Sequence, residues 1–334
     1  MNRKNIGSPY RKPPARETGL TILGVTIDCD FYNAGDTILL SSAEAMHKSR
    51  SLSNTAGAAK LTAWSYWIFT VLLAAAFLLM LATLLLPSLH LPGNPQELEV
   101  TLLLLATATT IFALERQLPM QNVLLVLAVT SFIGGAAHTL GAISGIPFGQ
   151  FTFTDELGPE LFQRLPWAMP LIWVVAVLNS RGVARLILRP WRKTKTYGFW
   201  LIGLTVVLTV LFDLALDPFA SRIKNYWIWT PVKFPLARQG APPVNFLSWG
   251  IVTLLILAFV TPAFLNKQLS RRSTQDFHPP CVWLGCILIF GTACGQNKSW
   301  SAVAADATIG IVTIIFAVRG ARWRENSSPA LNQI

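Results

Sequence analysis

The sequence predicts an all-α, polytopic transmembrane helical bundle of about eight spans. Three observations carry this. The chain is 52% hydrophobic but only 13% charged over 334 residues. Its mean hydropathy is +0.48, a value that soluble domains of this length seldom reach. And stretches of about 20 mostly apolar residues, the length that crosses about 30 Å of hydrocarbon, recur through the sequence. A net charge of +11 would suggest nucleic acid in a soluble chain. In a membrane chain basic residues gather in cytoplasmic loops and at anionic headgroups, so nucleic acid is excluded and membrane lipid is the expected partner of that charge.

The order of elements follows from the same reading. Residues 1–60 mix Arg3, Lys4, Arg11, Lys12 and Arg16 with Pro13, Pro14 and many polar residues. They bury too little apolar surface to pack alone and are expected to form a largely disordered, basic N-terminal tail. The TILGVTI run at Thr21–Ile27 is too short to span a bilayer, and nothing in the first 60 residues has the pattern of a cleavable signal peptide. Residues 61–320 form the membrane domain, with spans near 63–86, 98–115, 121–144, 166–180, 197–216, 244–265, 281–296 and 300–318. Charges or glycines cut the fourth and seventh short. Residues 321–334 are read as a short tail. Trp64, Tyr66, Trp67, Trp167, Tyr197, Trp200, Trp249, Trp283 and Trp300 fall near span ends, where amphipathic rings settle at headgroup level. With eight spans, 21 of the 27 Lys and Arg lie on the side of the N-terminus and 6 on the other. The positive-inside rule then makes this a multi-pass cell-membrane protein with both termini cytoplasmic. The cluster Arg181, Arg185, Arg189, Arg192, Lys193 and Lys195 contributes most, and a lipid-headgroup site is its functional alternative.

The unusual residues concentrate at the ends of spans three to six on the non-cytoplasmic side. GGAAHTLGAISG places Gly141 and Gly145 in GxxxG spacing, which lets helix backbones approach closely, and sets His138 inside a span, where a histidine usually faces a polar interior or takes part in function. Pro147 and Gly149 then resist continuing the helix, and a structured re-entry or lid follows, carrying Phe148, Phe151 and Phe153. Asp155, Glu156 and Glu160 read as solvated loop acids, and Pro166 as the opening residue of the fourth span, which carries Trp173. LFDLALDPF puts Asp213 and Asp217 four residues apart on one helix face. Both sit in the final turns, where the helix dipole disfavours negative charge, with Asp213 in apolar sequence; a carboxyl that keeps its proton there is what a general acid requires. Bonding to backbone, or to Arg222 and Lys224 in the next loop, is the structural alternative. Trp227, Trp229, Asn245 and Trp249 follow, as belt residues or as aromatic faces for a polyene or a carbocation. Asp306, about six residues below the outer end of the last span, is a further acid or a structural hydrogen-bonding group. Cys29, Cys281, Cys286 and Cys294 include no CxxC pair, so neither a zinc nor a haem site is expected and no metal is assigned.

Taken together, G-x-P-F-G-x-F-x-F-T, LGP and P-L-x-W (Gly145 to Trp173), D-L-x-x-D-P (Asp213 to Pro218), W-x-W (Trp227, Trp229) and P-x-N-F-x-x-W (Pro243 to Trp249) resemble the carotenoid biosynthesis protein family over about residues 120–265. Its characterised members are multispan membrane hydratases, which implies a bundle fold, no redox cofactor, and a hydro-lyase that adds water to the C1–C2 double bond of an acyclic carotenoid end group. An acyclic carotenoid is then the substrate, and other enzymes of carotenoid biosynthesis are candidate partners. On this reading Asp213 is the candidate proton donor, Asp217 or His138 the group that orients and deprotonates the water, and Trp227, Trp229, Trp249, Asn245, Phe148, Phe151, Phe153 and Trp173 the candidate substrate contacts. Two departures stand out. His138 occupies a place where a Glu is expected in many members, and the W-x-W loop continues into the more basic WTPVKFPLARQGAPP. The rival readings are a non-catalytic carotenoid or lipid carrier or transporter, and a different enzyme acting on the same end group.

Overall fold

The computed structural model describes residues 64–86, 88, 95–230, 240–265 and 276–323. The expectations for the N-terminal tail, for Thr21–Ile27 and for residues 324–334 lie outside these residues. Eight described helices are long and apolar enough to cross a membrane: α1 (Trp64–Leu85), α2 (Pro95–Glu115), α3 (Met120–Ser144), α4 (Ala168–Ile187), α5 (Tyr197–Pro218), α6 (Pro243–Phe264), α7 (His278–Gln296) and α8 (Trp300–Arg322). They are apolar nearly all round, and in hydrocarbon a helix satisfies its own backbone polar groups. Hydroxyls in the spans do the same by donating to the carbonyl one turn back, as Thr107 does to Leu103, Thr110 to Ala106 and Thr209 to Thr205.

Successive helices alternate in direction. The C-termini of α3 and α5 and the N-termini of α4 and α6 therefore share one end of the bundle. α4 is the central element, packed against α2, α3, α5, α7 and α8. Its burial explains why the fourth span is hard to delimit: Asn179 donates to Thr110 at 2.9 Å, and Ser180 accepts from the indole of Trp283 at 3.0 Å, so polar residues are tolerated inside.

The all-α bundle expected from the sequence is what the structure shows, with short strands added at the shared end. Four short strands, β1 (Phe151–Phe153), β2 (Glu160–Leu161), β3 (Leu165–Pro166) and β4 (Trp227–Trp229), pair antiparallel as β1 with β4 and β2 with β3. These loops cover the bundle, and their backbone groups find partners in each other. Pro166 accordingly lies in β3, and α4 opens at Ala168. Helix α8 runs to Arg322, into the first two residues read as tail. Trp249 and Trp283 are core residues, 1% and 0% exposed, and belong to no aromatic belt, whereas Trp64, Trp67, Trp200 and Trp300 are 62–71% exposed as a belt requires. At the opposite end part of the basic cluster is used in packing: Arg181 lies over the Phe264 ring and Arg189 donates to the Ala321 carbonyl at 3.1 Å.

Candidate functional site

The site is assembled where α3 stops. Gly145 takes a left-handed φ of 73° and caps the helix by donating to the Gly141 carbonyl, and the chain folds back through Pro147. GxxxG therefore serves the loop here. A Cβ at Gly141 would come within 2.9 Å of Phe148 and 3.2 Å of Phe151, so its absence makes room for two rings. Phe148 is fully buried, and Ser248 on α6 holds the turn by donating to the Pro147 carbonyl at 2.6 Å.

From this turn β1 runs against β4 with Phe151 opposite Trp229 and Phe153 opposite Trp227. Alternation along β4 sends Trp227 and Trp229 inward and leaves Ile228 exposed. Both indoles donate to one oxygen, Asp217 Oδ1, at 3.1 Å and 2.8 Å. Ser221, in a five-residue π-helical turn that follows Pro218, donates to the Asp217 main-chain carbonyl, and its hydroxyl stands 3.5 Å from Oδ2. One turn deeper on the same face, Asp213 Oδ2 accepts from the Asn245 amide at 2.7 Å, while its Oδ1 is buried with no partner. The two carboxylates are each 1% exposed. They bond to Asn245 and the tryptophans, and Lys224 pairs with Glu99 instead.

His138 completes the cluster. Its Nδ1 accepts from the Trp173 indole at 3.0 Å, so the neutral ring carries its proton on Nε2. Trp173 stacks on Trp249 at 4.0 Å between centroids and 18° between planes. Close approach of Trp173 to α3 depends on Gly134, where a Cβ would lie 2.3 Å from the indole. The rings of Phe148, Phe151, Phe153, Trp173 and Trp249 all stand 4.2–6.3 Å from the imidazole centroid. His138, Asp213, Asp217, Asn245, Trp173, Trp227, Trp229, Trp249 and the three phenylalanines are thus joined in one continuous assembly at one end of the bundle. Chemically it offers a carboxyl with a free oxygen, a second carboxylate held by indoles, and quadrupole-bearing rings beside them.

Four acids that stand out in the sequence fall elsewhere. Asp306, 3% exposed with both oxygens unpartnered, packs against Gly291 between α7 and α8. Asp155, Glu156 and Glu160 are exposed, as solvated loop acids should be. Glu99 was missed: it lies in an apolar helix, which was a usable signal, and it binds Tyr226 and Lys224. Among the described residues no three His, Cys, Asp or Glu side chains cluster as a metal site would.

The carotenoid biosynthesis protein family matches residues 98–316. Bisanhydrobacterioruberin hydratase of Haloarcula japonica is 30% identical over 152 residues, 45% of this chain, and the match spans about half (48%) of that relative's length. No solved structure matches. The matched region runs from α2 into α8 and contains every member of the assembly around His138, Asp213 and Asp217, and on that extent of agreement the chain belongs to the carotenoid biosynthesis protein family.

Proposed function

We propose that this protein is a membrane carotenoid hydratase, a hydro-lyase that adds water across the C1–C2 double bond of an acyclic carotenoid end group. The observation that supports it best is the asymmetry of Asp213: one carboxyl oxygen accepts from Asn245, and the other is buried without a partner. A proton on that second oxygen makes an O–H aimed at no protein acceptor, free to be given to an alkene carbon. Transfer to C2 leaves a tertiary cation at C1. The faces of Trp229, Trp249 and the phenylalanines stabilise it through their quadrupoles.

Water adds at C1 and loses a proton to Asp217. Its Oδ1 is occupied by two indole N–H groups, which fixes the carboxylate, and Oδ2, with the Ser221 hydroxyl 3.5 Å away, is the oxygen left to take the proton. His138 serves less well as the base, because its Nδ1 is engaged by Trp173 and its Nε2 already bears hydrogen. It orients substrate or water as a donor. Proton transfer from Asp217 to Asp213, one turn away, restores the starting state, and the net change is alkene plus water to tertiary alcohol. Because Phe148, Trp173 and Trp249 are at most 1% exposed, the end group enters when the 146–153 segment lifts.

The relative's name supports hydration of a carotenoid, and family membership supports the substrate class. A polyene far more soluble in bilayer than in water reaches the bundle laterally, which accounts for an enzyme built from spans. We place both termini in the cytoplasm from the excess of basic residues on that side, with residues 61–320 as the membrane domain and the acid pair near the opposite face. Labelling of a cysteine at Thr154 from the cytoplasmic side would reverse this orientation. In a bacterial host that accumulates lycopene, the expected pigment is heavier by one or two waters. Unchanged pigment with confirmed membrane insertion would favour the carrier reading instead.

A further inference from the structure

A neighbouring face of α5, about 100° round the helix from the acid pair, borders a second compartment. Phe212, Leu216 and Phe219 line a cavity of about 170 Å³ that α2, α4 and α7 complete with residues such as Leu103, Val175 and Phe290. The acid pair, each member one residue along from Phe212 and Leu216, turns away from it. Its walls are apolar except at one end, where Glu99, Gln96, Glu156 and Tyr226 stand together. There the Tyr226 hydroxyl and the Lys224 ammonium both bind the Glu99 carboxylate, and Gln96 donates to Glu156. Burial, reinforced by the neighbouring Glu99 carboxylate, holds the Tyr226 phenol above its ordinary range, so it remains a donor. Glu99 is 12% exposed at its side chain, and a carboxylate with two partners retains acceptor capacity for a third.

Size and polarity select the ligand. An apolar cavity of about 150 Å³ holds benzene, so this one takes about one to two isoprene units. Three phenyl rings suit the unsaturated part of such a unit. A saturated acyl tail would leave the carboxylate end facing hydrocarbon, whereas a terminal hydroxyl would satisfy it. We propose that this cavity binds the hydroxylated end unit of an acyclic isoprenoid, with the hydroxyl donating to Glu99 and the chain lying among Leu103, Val175, Leu216 and Phe290. The proposal rests on the carotenoid reading and extends it, because the ligand is the kind of end group that hydration creates, held apart from the acids that create it. Consecutive residues connect the two compartments: Tyr226 faces the cavity, and Trp227 binds Asp217.

The test uses purified full-length protein in lipid nanodiscs, with a photoreactive ten-carbon isoprenoid alcohol and the matching hydrocarbon as probes, and cross-links mapped by mass spectrometry. The expected result is saturable labelling of α2, α4 and α7, competed about tenfold better by unlabelled alcohol than by hydrocarbon. That preference is lost in Glu99→Gln, and labelling is lost in Ala106→Phe, which fills the cavity. Val175→Leu, a milder filling, should weaken labelling if Ala106→Phe does not insert. Labelling centred on His138 and Trp249, unsaturable labelling like that from bulk lipid, or equal competition by alcohol and hydrocarbon would each overturn the proposal. Labelling needs no turnover. A chain that labels as expected but hydrates nothing therefore refutes the hydratase reading alone, and one that hydrates but does not label refutes the cavity alone.

Discussion

The two faces of α5 carry opposite solutions to the problem of polarity inside a membrane bundle. On one, Asp213 and Asp217 are buried among tryptophans and an asparagine, with one carboxyl oxygen of Asp213 left without a partner. On the other, one residue back at each position, Phe212 and Leu216 border open apolar space whose polar groups are confined to one end. A closed site is where a buried acid acts most strongly on a substrate, because bulk water does not compete for its proton. An open apolar space is where a long hydrocarbon can be held without specificity along its length. The proposed hydratase would use both, and α5 borders each.

The comparison breaks first at Asp213. Asp213→Asn keeps the shape and the Asn245 neighbour but removes the acid, and hydration in a lycopene-producing host should fall by at least about 10²–10⁴-fold with membrane protein level unchanged. Normal pigment conversion would remove Asp213 from the chemistry. Next comes Trp229→Phe, which takes one of the two N–H donors from Asp217. A hydrogen bond to a charged group contributes about 1.5–3 kcal/mol, so initial rates of product formation should drop about 10–100-fold.

Gly134→Ala tests the packing beneath the chemistry. A methyl 2.3 Å from Trp173 must displace that ring and with it the donor to His138. Thermal unfolding in detergent should show a loss of about 1–3 kcal/mol, and the rate should fall with it. Smaller effects sharpen the contrast between the faces. Leu216→Val, adjacent to Asp217 but facing the cavity, should leave hydration within about tenfold of normal while altering chain preference. Ile228→Ala, between the two inward tryptophans of β4 but exposed, should change stability by less than about 0.5 kcal/mol and activity not at all. A large loss at Ile228 would mean that the alternation of β4 is wrongly assigned.

Span number and order were legible because length and hydropathy alone determine which segments cross a bilayer, and each of the eight expected spans coincides with a helix. Span ends were less so. Residues 181–187 carry Arg181 and Arg185 yet remain helical, because Arg181 lies over the Phe264 ring and Arg185 hydrogen-bonds Gln117. Such partners come from other helices and leave no local mark. The β1–β4 ladder was hidden for the same reason: its strands are three residues each and some 70 residues apart, too short for an alternating pattern to register.

The site residues were legible as types, since a carboxylate pair in a span and a histidine among glycines are costly and stand out. Their partners were not. Position along the chain suggested Arg222 and Lys224 as counter-ions; the Arg222 charge does act on Asp217, but the fold brings indoles to that carboxylate as hydrogen-bond donors and gives Lys224 to Glu99. The aromatic residues at span ends misled in one direction only. Trp249 and Trp283 have the same sequence context as belt tryptophans and differ by facing α4.

The most direct test of the hydratase proposal is to express the wild-type chain and Asp213→Asn in a lycopene-accumulating host grown in ¹⁸O-labelled water and to analyse the pigments by mass spectrometry. The expected result is a product heavier by one labelled water per hydrated end with the wild-type chain, and only the starting pigment with the variant. Unlabelled oxygen in the product, or the same labelled product from Asp213→Asn, would contradict hydration by this acid.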